Sequence, residues 1–156
     1  KAVGREFIDL DFYITQRFHA SVSKIFAERG EAEFRRIETD MLREVAEFTN
    51  VVVACGGGTP CFNDNITYMN AKGTTIWLEA SRERLLERLL RNRSKRPLLA
   101  SKPDSEIAVA IDAGLKAREC FYSQAQHRFN GDLLENKLQI EGTIANFLTN
   151  FNFLFA

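Results

Sequence analysis

The stretch VVVACGGGTPC, Val51 to Cys61, decides how the rest of the chain is read. A β-branched run ending in three consecutive glycines reads as a strand that feeds a loop able to approach a ligand closely. With no polar alternation, Val51 to Cys55 is expected to be a fully buried parallel strand. The loop lacks the Lys and Ser/Thr that a nucleotide-binding P-loop places at its end. Two readings of Gly56, Gly57 and Gly58 stand at this level: a tight turn that needs positive φ, or a ligand wall made of backbone.

Upstream of this strand, Phe7-Ile8-Asp9 is a short apolar run ending in acid, suited to a strand whose carboxyl end delivers Asp9 and Asp11. The period then becomes helical through Phe12, Ile14, Phe18, Val22, Ile25 and Phe26, with Ser21 as an N-cap and Gly30 as a stop. Glu31 to Phe48 is helical again, with Phe34, Ile37, Met41, Leu42 and Val45 on one face. Downstream, Thr74 to Leu78 reads as a strand and Ser81 caps SRERLLERLLRN. RSKRPLLASKPD breaks that helix and reads as a loop, a helix from about Ser105 to Tyr122 follows, and HRFNGD suits a short strand and turn. The segment from Leu133 onward has mostly helical period. Strands alternating with helices predict an α/β domain with a parallel sheet, whose ligands sit at the carboxyl ends of the strands.

Size and composition narrow the function classes. The chain has 156 residues, 45% hydrophobic and 27% charged, which suits one compact soluble domain over 1–156. Lys+Arg and Asp+Glu are both 21, for a net charge of +0. No field recruits nucleic acid or an anionic membrane, and neither partner is expected. No apolar run approaches the about 20 residues of a membrane span, and no signal peptide opens the chain. Cys55, Cys61 and Cys120 are too few and too far apart for a disulfide framework, so idle thiols in a reducing cytoplasm are expected. The sequon Asn65-Ile66-Thr67 is then a chance match. Lys1 is not a Met, and KAVGREFIDLD reads like the end of a helix running into a strand, so a segment upstream of residue 1 is expected.

Four constellations could carry chemistry. Asp9 and Asp11, two apart at a strand end, could divide labour between a metal ion and a hydroxyl proton, or Asp11 could cap the next helix. Arg35 and Glu38, at i and i+3, could form a surface salt bridge, or an arginine for a substrate carboxylate steadied by an acid. Arg91, Arg93, Lys95 and Arg96 could be a solvated basic face, or a lid closing over phosphates at about 91–104. His19 and His127 show no partner pattern and read as structural. Arg118 is ambiguous alone.

In order and spacing, FIDLD, GEAEFRRIE, VVVACGGG, RPLL and AREcFY (Cys120 in lower case) resemble shikimate kinase, a nucleoside-monophosphate-kinase-like P-loop family. The likeness runs from Phe7 to about Asn130. It implies a three-layer αβα fold with a parallel sheet, and ATP-dependent phosphorylation of shikimate at its 3-hydroxyl in aromatic amino-acid biosynthesis. ATP and Mg²⁺ are the implied cofactors, and a cytoplasmic monomer is expected. Carried over residue by residue, Asp11 matches the aspartate at the substrate hydroxyls and Asp9 the acid near the magnesium. Arg35 and Arg118 match the pair that grips the substrate carboxylate, with Glu38 supporting it. Gly56, Gly57 and Gly58 match the loop lining the substrate pocket, and Arg96 the lid arginine reaching the transferred phosphate.

The departures are as informative. No GxxxxGK[ST] occurs in these residues, so the first strand and P-loop are expected upstream of Lys1, and the 156 residues alone are expected to be inactive. Cys120 stands where the family usually has Pro, and NGDLLENKL does not clearly supply adenine-contacting residues. A non-catalytic kinase-like binding module and a related small-molecule kinase of the gluconate type are the competing readings.

Overall fold

The structure is a computed structural model that describes residues 2–91 and 103–155, the side chain of Ser105 excepted. Arg96 and most of the expected lid fall outside the described residues. The chain divides into two compact units, Lys1–Thr75 and Ile76–Ala156.

In the first unit β1 (Glu6–Asp9) pairs in parallel with β2 (Val51–Ala54), Glu6 opposite Val51 and Asp9 opposite Ala54. The connection carries α1 (Leu10–Phe18) and α2 (Val22–Val45), as a parallel crossover requires. β1 passes into α1 with no loop between them. Asp9 keeps the strand's extended backbone, φ −88° and ψ 117°, and its Oδ1 accepts from the Phe12 N–H at 3.0 Å. The cap is therefore Asp9, and Asp11 lies in the first helical turn with its carboxyl free of that duty. Ser21 caps α2 as expected, accepting from the Lys24 N–H at 3.2 Å. Gly30, expected as a stop, is a break inside one long helix: φ 78° and ψ 171° belong to a region that side chains rarely allow.

After the break, the apolar stripe Phe34, Ile37, Leu42 and Val45 is buried against Ile8, Leu10, Ile14 and Ile25. Each such side chain contributes about 1.5–3 kcal/mol by leaving water. β2 is not fully buried. Its residues alternate, Val51 and Val53 packing on this core while Val52 stays 40% exposed, because successive side chains point to opposite faces of a strand. Beyond the glycines come a 3-10 turn, Thr59–Cys61, and α3 (Asn65–Lys72), a short helix that the sequence reading did not anticipate.

The second unit runs β3 (Ile76–Glu79), α4 (Arg82–Arg91), α5 (Asp104–Tyr122), β4 (His127–Asn130) and α6 (Lys137–Asn150). β3 and β4 are parallel, Ile76 opposite His127. Ser81 Oγ accepts from the Arg84 N–H at 3.3 Å, the expected cap. Arg88 ties α4 to the turn after β4, donating to the Gly131 and Asp132 carbonyls at 2.8 and 3.0 Å and to Glu135 at 2.8 Å. Phe129, Phe147 and Phe151 form an aromatic cluster, the ring centroids of Phe147 and Phe151 lying 4.7 Å apart. The Phe-rich end thus joins the second unit's core at Phe151, while Phe153 is exposed. The expected α/β class with parallel strands is the one observed, and among the described residues no helix is long and apolar enough to cross a membrane.

Candidate active site

The site of the first unit is built around a buried acid. Glu38, on the core-facing stripe of α2, has a side chain only 2% exposed. A carboxylate there is tolerated only if its oxygens are paired. Oε2 accepts from Arg35 Nη1 at 2.8 Å, and Oε1 accepts from Thr59 Oγ1 at 2.7 Å. The Arg35–Glu38 pair is accordingly no surface salt bridge. The Arg35 guanidinium also lies over Phe62, 4.3 Å from the ring centroid, with Phe34 and Phe26 at 5.3 and 5.6 Å. Rings around a cation exclude water and favour its charge. Its remaining edge is held loosely: Nε and Nη2 each reach Glu31 Oε1 at 3.3 Å, and Glu31 is 60% exposed.

Asp11 sits beside this pair. Partial burial pushes its carboxyl above the usual carboxylate range, the charges of Asp9 and Glu38 push it further, and the Arg35 guanidinium opposes them. Cys55, at the end of β2, faces the same acids. Burial first, then the charges of Glu38 and Asp11, pushes its thiol up to about 12.

The glycines do not serve a positive-φ turn. Among the described residues only Gly4 and Gly30 are glycines with positive φ, and Gly58 has φ −86°. Gly58 is a matter of space: a Cβ there would lie 2.7 Å from both Nη1 and Nη2 of Arg35. A Cβ on Gly56 would stand 3.5 Å from Thr59 Oγ1, 3.7 Å from Asp11 Oδ1 and 3.8 Å from Glu38 Oε1. Gly56 is thus where the acids and the loop meet. Gly57 offers its carbonyl to Cys61 Sγ at 3.7 Å.

Asp11, Arg35, Glu38, Gly56 and Gly58 are therefore brought together by the first unit. Arg118 lies on α5 of the second unit with its side chain exposed. What the sequence reading missed is the support: Thr59, Asn65 and Thr39 are buried, and Phe62 lies over Arg35. The signal available was TPCFNDN itself, a polar run immediately after the glycines.

Fitness for a magnesium ion can be tested on the acids. Asp9 is exposed and uses Oδ1 for the helix cap, while Oδ2 has no hydrogen bond among the described residues. No cluster of three His, Cys, Asp or Glu among those residues could hold a metal unaided. Two neighbouring exposed carboxylates suit Mg²⁺, which keeps several waters and takes one or two carboxylates beside substrate phosphates.

A family model described as shikimate kinase matches residues 1–149. Shikimate kinase of Bacteroides thetaiotaomicron is 49% identical over 138 residues, 88% of this chain and 79% of that protein. The Phocaeicola vulgatus shikimate kinase is 47% identical over 156 residues, 97% of this chain and 89% of its own length. A crystal structure of the Bacteroides thetaiotaomicron enzyme matches with a TM-score of 0.90 at 46% identity, covering 95% of this chain and 84% of that one. Shikimate kinase from Acinetobacter baumannii in complex with shikimate matches at 0.77 and 26% identity, covering 96% and 80%.

Proposed function

The chain belongs to the shikimate kinase family, and from that premise we propose that its first unit holds and activates shikimate for phosphorylation at the 3-hydroxyl, with ATP as donor. The observation that carries the assignment of roles is a guanidinium fixed by a buried acid beside an aspartate whose carboxyl is pushed up. Shikimate has one carboxylate and three hydroxyls. Arg35 takes the carboxylate through its Nε/Nη2 edge, the geometry in which arginine grips a carboxylate with two parallel hydrogen bonds. Arg118 adds a second cation for the same group, a role that rests on its place in AREcFY.

Asp11 receives the proton of the attacking hydroxyl. A carboxylate pushed upward is the better proton acceptor, because base strength follows the pKa. The hydroxyl oxygen forms a bond to the γ-phosphorus as the bond from that phosphorus to the bridging oxygen breaks, and ADP leaves. Arg96, carried over from RPLL and outside the described residues, meets the transferred phosphate. Asp9 would hold Mg²⁺ through its water shell, and the ion when bound neutralises phosphate charge.

The test is a substrate panel on the natural full-length protein with coupled ADP detection. Shikimate should turn over and gluconate should not, and Arg35→Ala should raise the shikimate KM while leaving the ATP KM near its starting value. Equal turnover of gluconate, or an unchanged shikimate KM, overturns this reading.

A further inference from the structure

The Arg35–Glu38 pair has an asymmetry that its own two residues do not explain. An arginine and a carboxylate left to themselves prefer two parallel hydrogen bonds, which would commit one whole edge of the guanidinium to Glu38. Here only Nη1 donates to Glu38, at 2.8 Å, and it reaches Oε2 alone. The other oxygen is taken by the Thr59 hydroxyl at 2.7 Å. Thr59 is fully buried, so its hydroxyl has no water to turn to.

Thr59 is itself held. Asn65 Nδ2 donates to the Thr59 carbonyl at 2.9 Å and to Thr39 Oγ1 at 3.2 Å. Asn63 Nδ2 donates to that same Thr39 oxygen at 2.9 Å and to the Arg35 carbonyl at 3.2 Å. A carbonyl can only accept, so the Asn65 amide must face it with nitrogen. Its Oδ1 is left buried with no protein partner among the described residues. Leaving a buried acceptor unpaired is unfavourable, and such a group in a native structure asks for an explanation. Here the explanation is that the amide orientation serves the turn carrying Thr59.

We propose that Thr59 is a positioning residue for the acceptor: by occupying Glu38 Oε1 it keeps the Arg35–Glu38 contact single, and so leaves the Nε/Nη2 edge of Arg35 for the substrate carboxylate. That edge now rests on Glu31, an exposed carboxylate 3.3 Å away that an incoming ligand can displace. This inference rests on the reading that Arg35 binds the substrate carboxylate.

The experiment measures the shikimate KM, the ATP KM and kcat of the natural full-length protein carrying Thr59→Val, Thr59→Ser, Thr59→Ala or Arg35→Ala. Thr59→Val keeps the shape and removes the donor. It should raise the shikimate KM about tenfold, the factor equivalent to about 1.4 kcal/mol, with kcat and the ATP KM changed by less than about twofold. Thr59→Ser keeps a hydroxyl and should restore the shikimate KM to within about threefold of the starting protein, a rescue that a mere packing role would not produce.

A wild-type KM for Thr59→Val overturns the proposal, as does a Thr59→Ser variant as impaired as Thr59→Val. Should Thr59→Val fail to fold, Thr59→Ala removes the same donor without adding bulk, and failure of both makes Thr59 scaffolding and refutes the assignment. An Arg35→Ala variant with unchanged shikimate KM sinks the underlying reading instead. A raised KM there with no effect at Thr59 sinks this inference alone.

Discussion

Arg35 and Arg36 are neighbours on one helix, and each pairs with acids three or four residues away. Arg36 takes both oxygens of Glu33, at 2.7 and 3.0 Å, and reaches Asp40 at 3.1 Å. By geometry alone it has the better salt bridge. Yet its side chain is 64% exposed, against 16% for Arg35, and the acid facing Arg35 is almost wholly buried. The 100° step between successive helical residues turns one arginine to solvent and the other to the loop that follows β2. In water an ion pair loses to hydration nearly what it gains, while a buried acid depends on every partner it has. Strength of contact thus says little about importance here, and burial of the partner says much.

The sharpest way to test that contrast is at the group the buried pair is arranged around. Asp11→Asn should lower turnover by about 10²- to 10⁴-fold, the usual contribution of a positioned base, with ATP binding scarcely altered. The same variant should be no less stable at neutral pH. Because folding raises the Asp11 pKa, the folded protein holds that proton more tightly than the unfolded chain does. Ionisation therefore opposes folding at pH above the folded pKa, and the penalty is relieved as pH falls below the unfolded value of about 4. Melting curves should place Asp11→Asn above wild type at pH 7 with the gap closing toward pH 3. A variant that melts lower at pH 7 would contradict the direction of the shift.

Next in size is Arg35→Ala, which leaves Glu38 buried and short of a partner and should cost about 3–5 kcal/mol in denaturant unfolding. It also removes the positive charge that holds Asp11 down, so the acid limb of kcat should move to higher pH. An unmoved limb would separate Arg35 from Asp11 electrostatically. Smaller again is Gly58→Ala: its methyl displaces the guanidinium, and the shikimate KM should rise about fivefold, equivalent to ~1 kcal/mol. Smallest is Arg36→Ala, for which neither the melting temperature nor any kinetic constant should change measurably. A marked loss at Arg36 would break the contrast outright.

Much of this was legible in the sequence because local rules and tertiary packing agreed. Ser21 and Ser81 cap the helices they precede, and Phe34, Ile37, Leu42 and Val45 repeat at the helical interval and are buried together. Arg35 and Glu38 were paired by spacing, but their burial was not, since spacing along one helix is blind to what packs on it. The cap falls on Asp9 and not Asp11 because the strand runs straight into α1, two residues earlier than an Asp11 cap would have set it. The helix NITYMNAK was missed: at eight residues it carries too little periodicity to announce itself, and it is held by Asn65 and the turn before it. The exposure of Val52 escaped notice for a related reason, an all-apolar run concealing which face meets the core.

Cys55 directly follows the last residue of β2. Its sulfur stands among Asp11 and Glu38 with a pKa of about 12, so at cellular pH almost none of it is thiolate, the form that peroxides and alkylating agents attack. Burial first, and the charges of Glu38 and Asp11 after it, thus passivate this thiol. Oxidative damage that silences many cysteine-bearing enzymes has little to act on at this position.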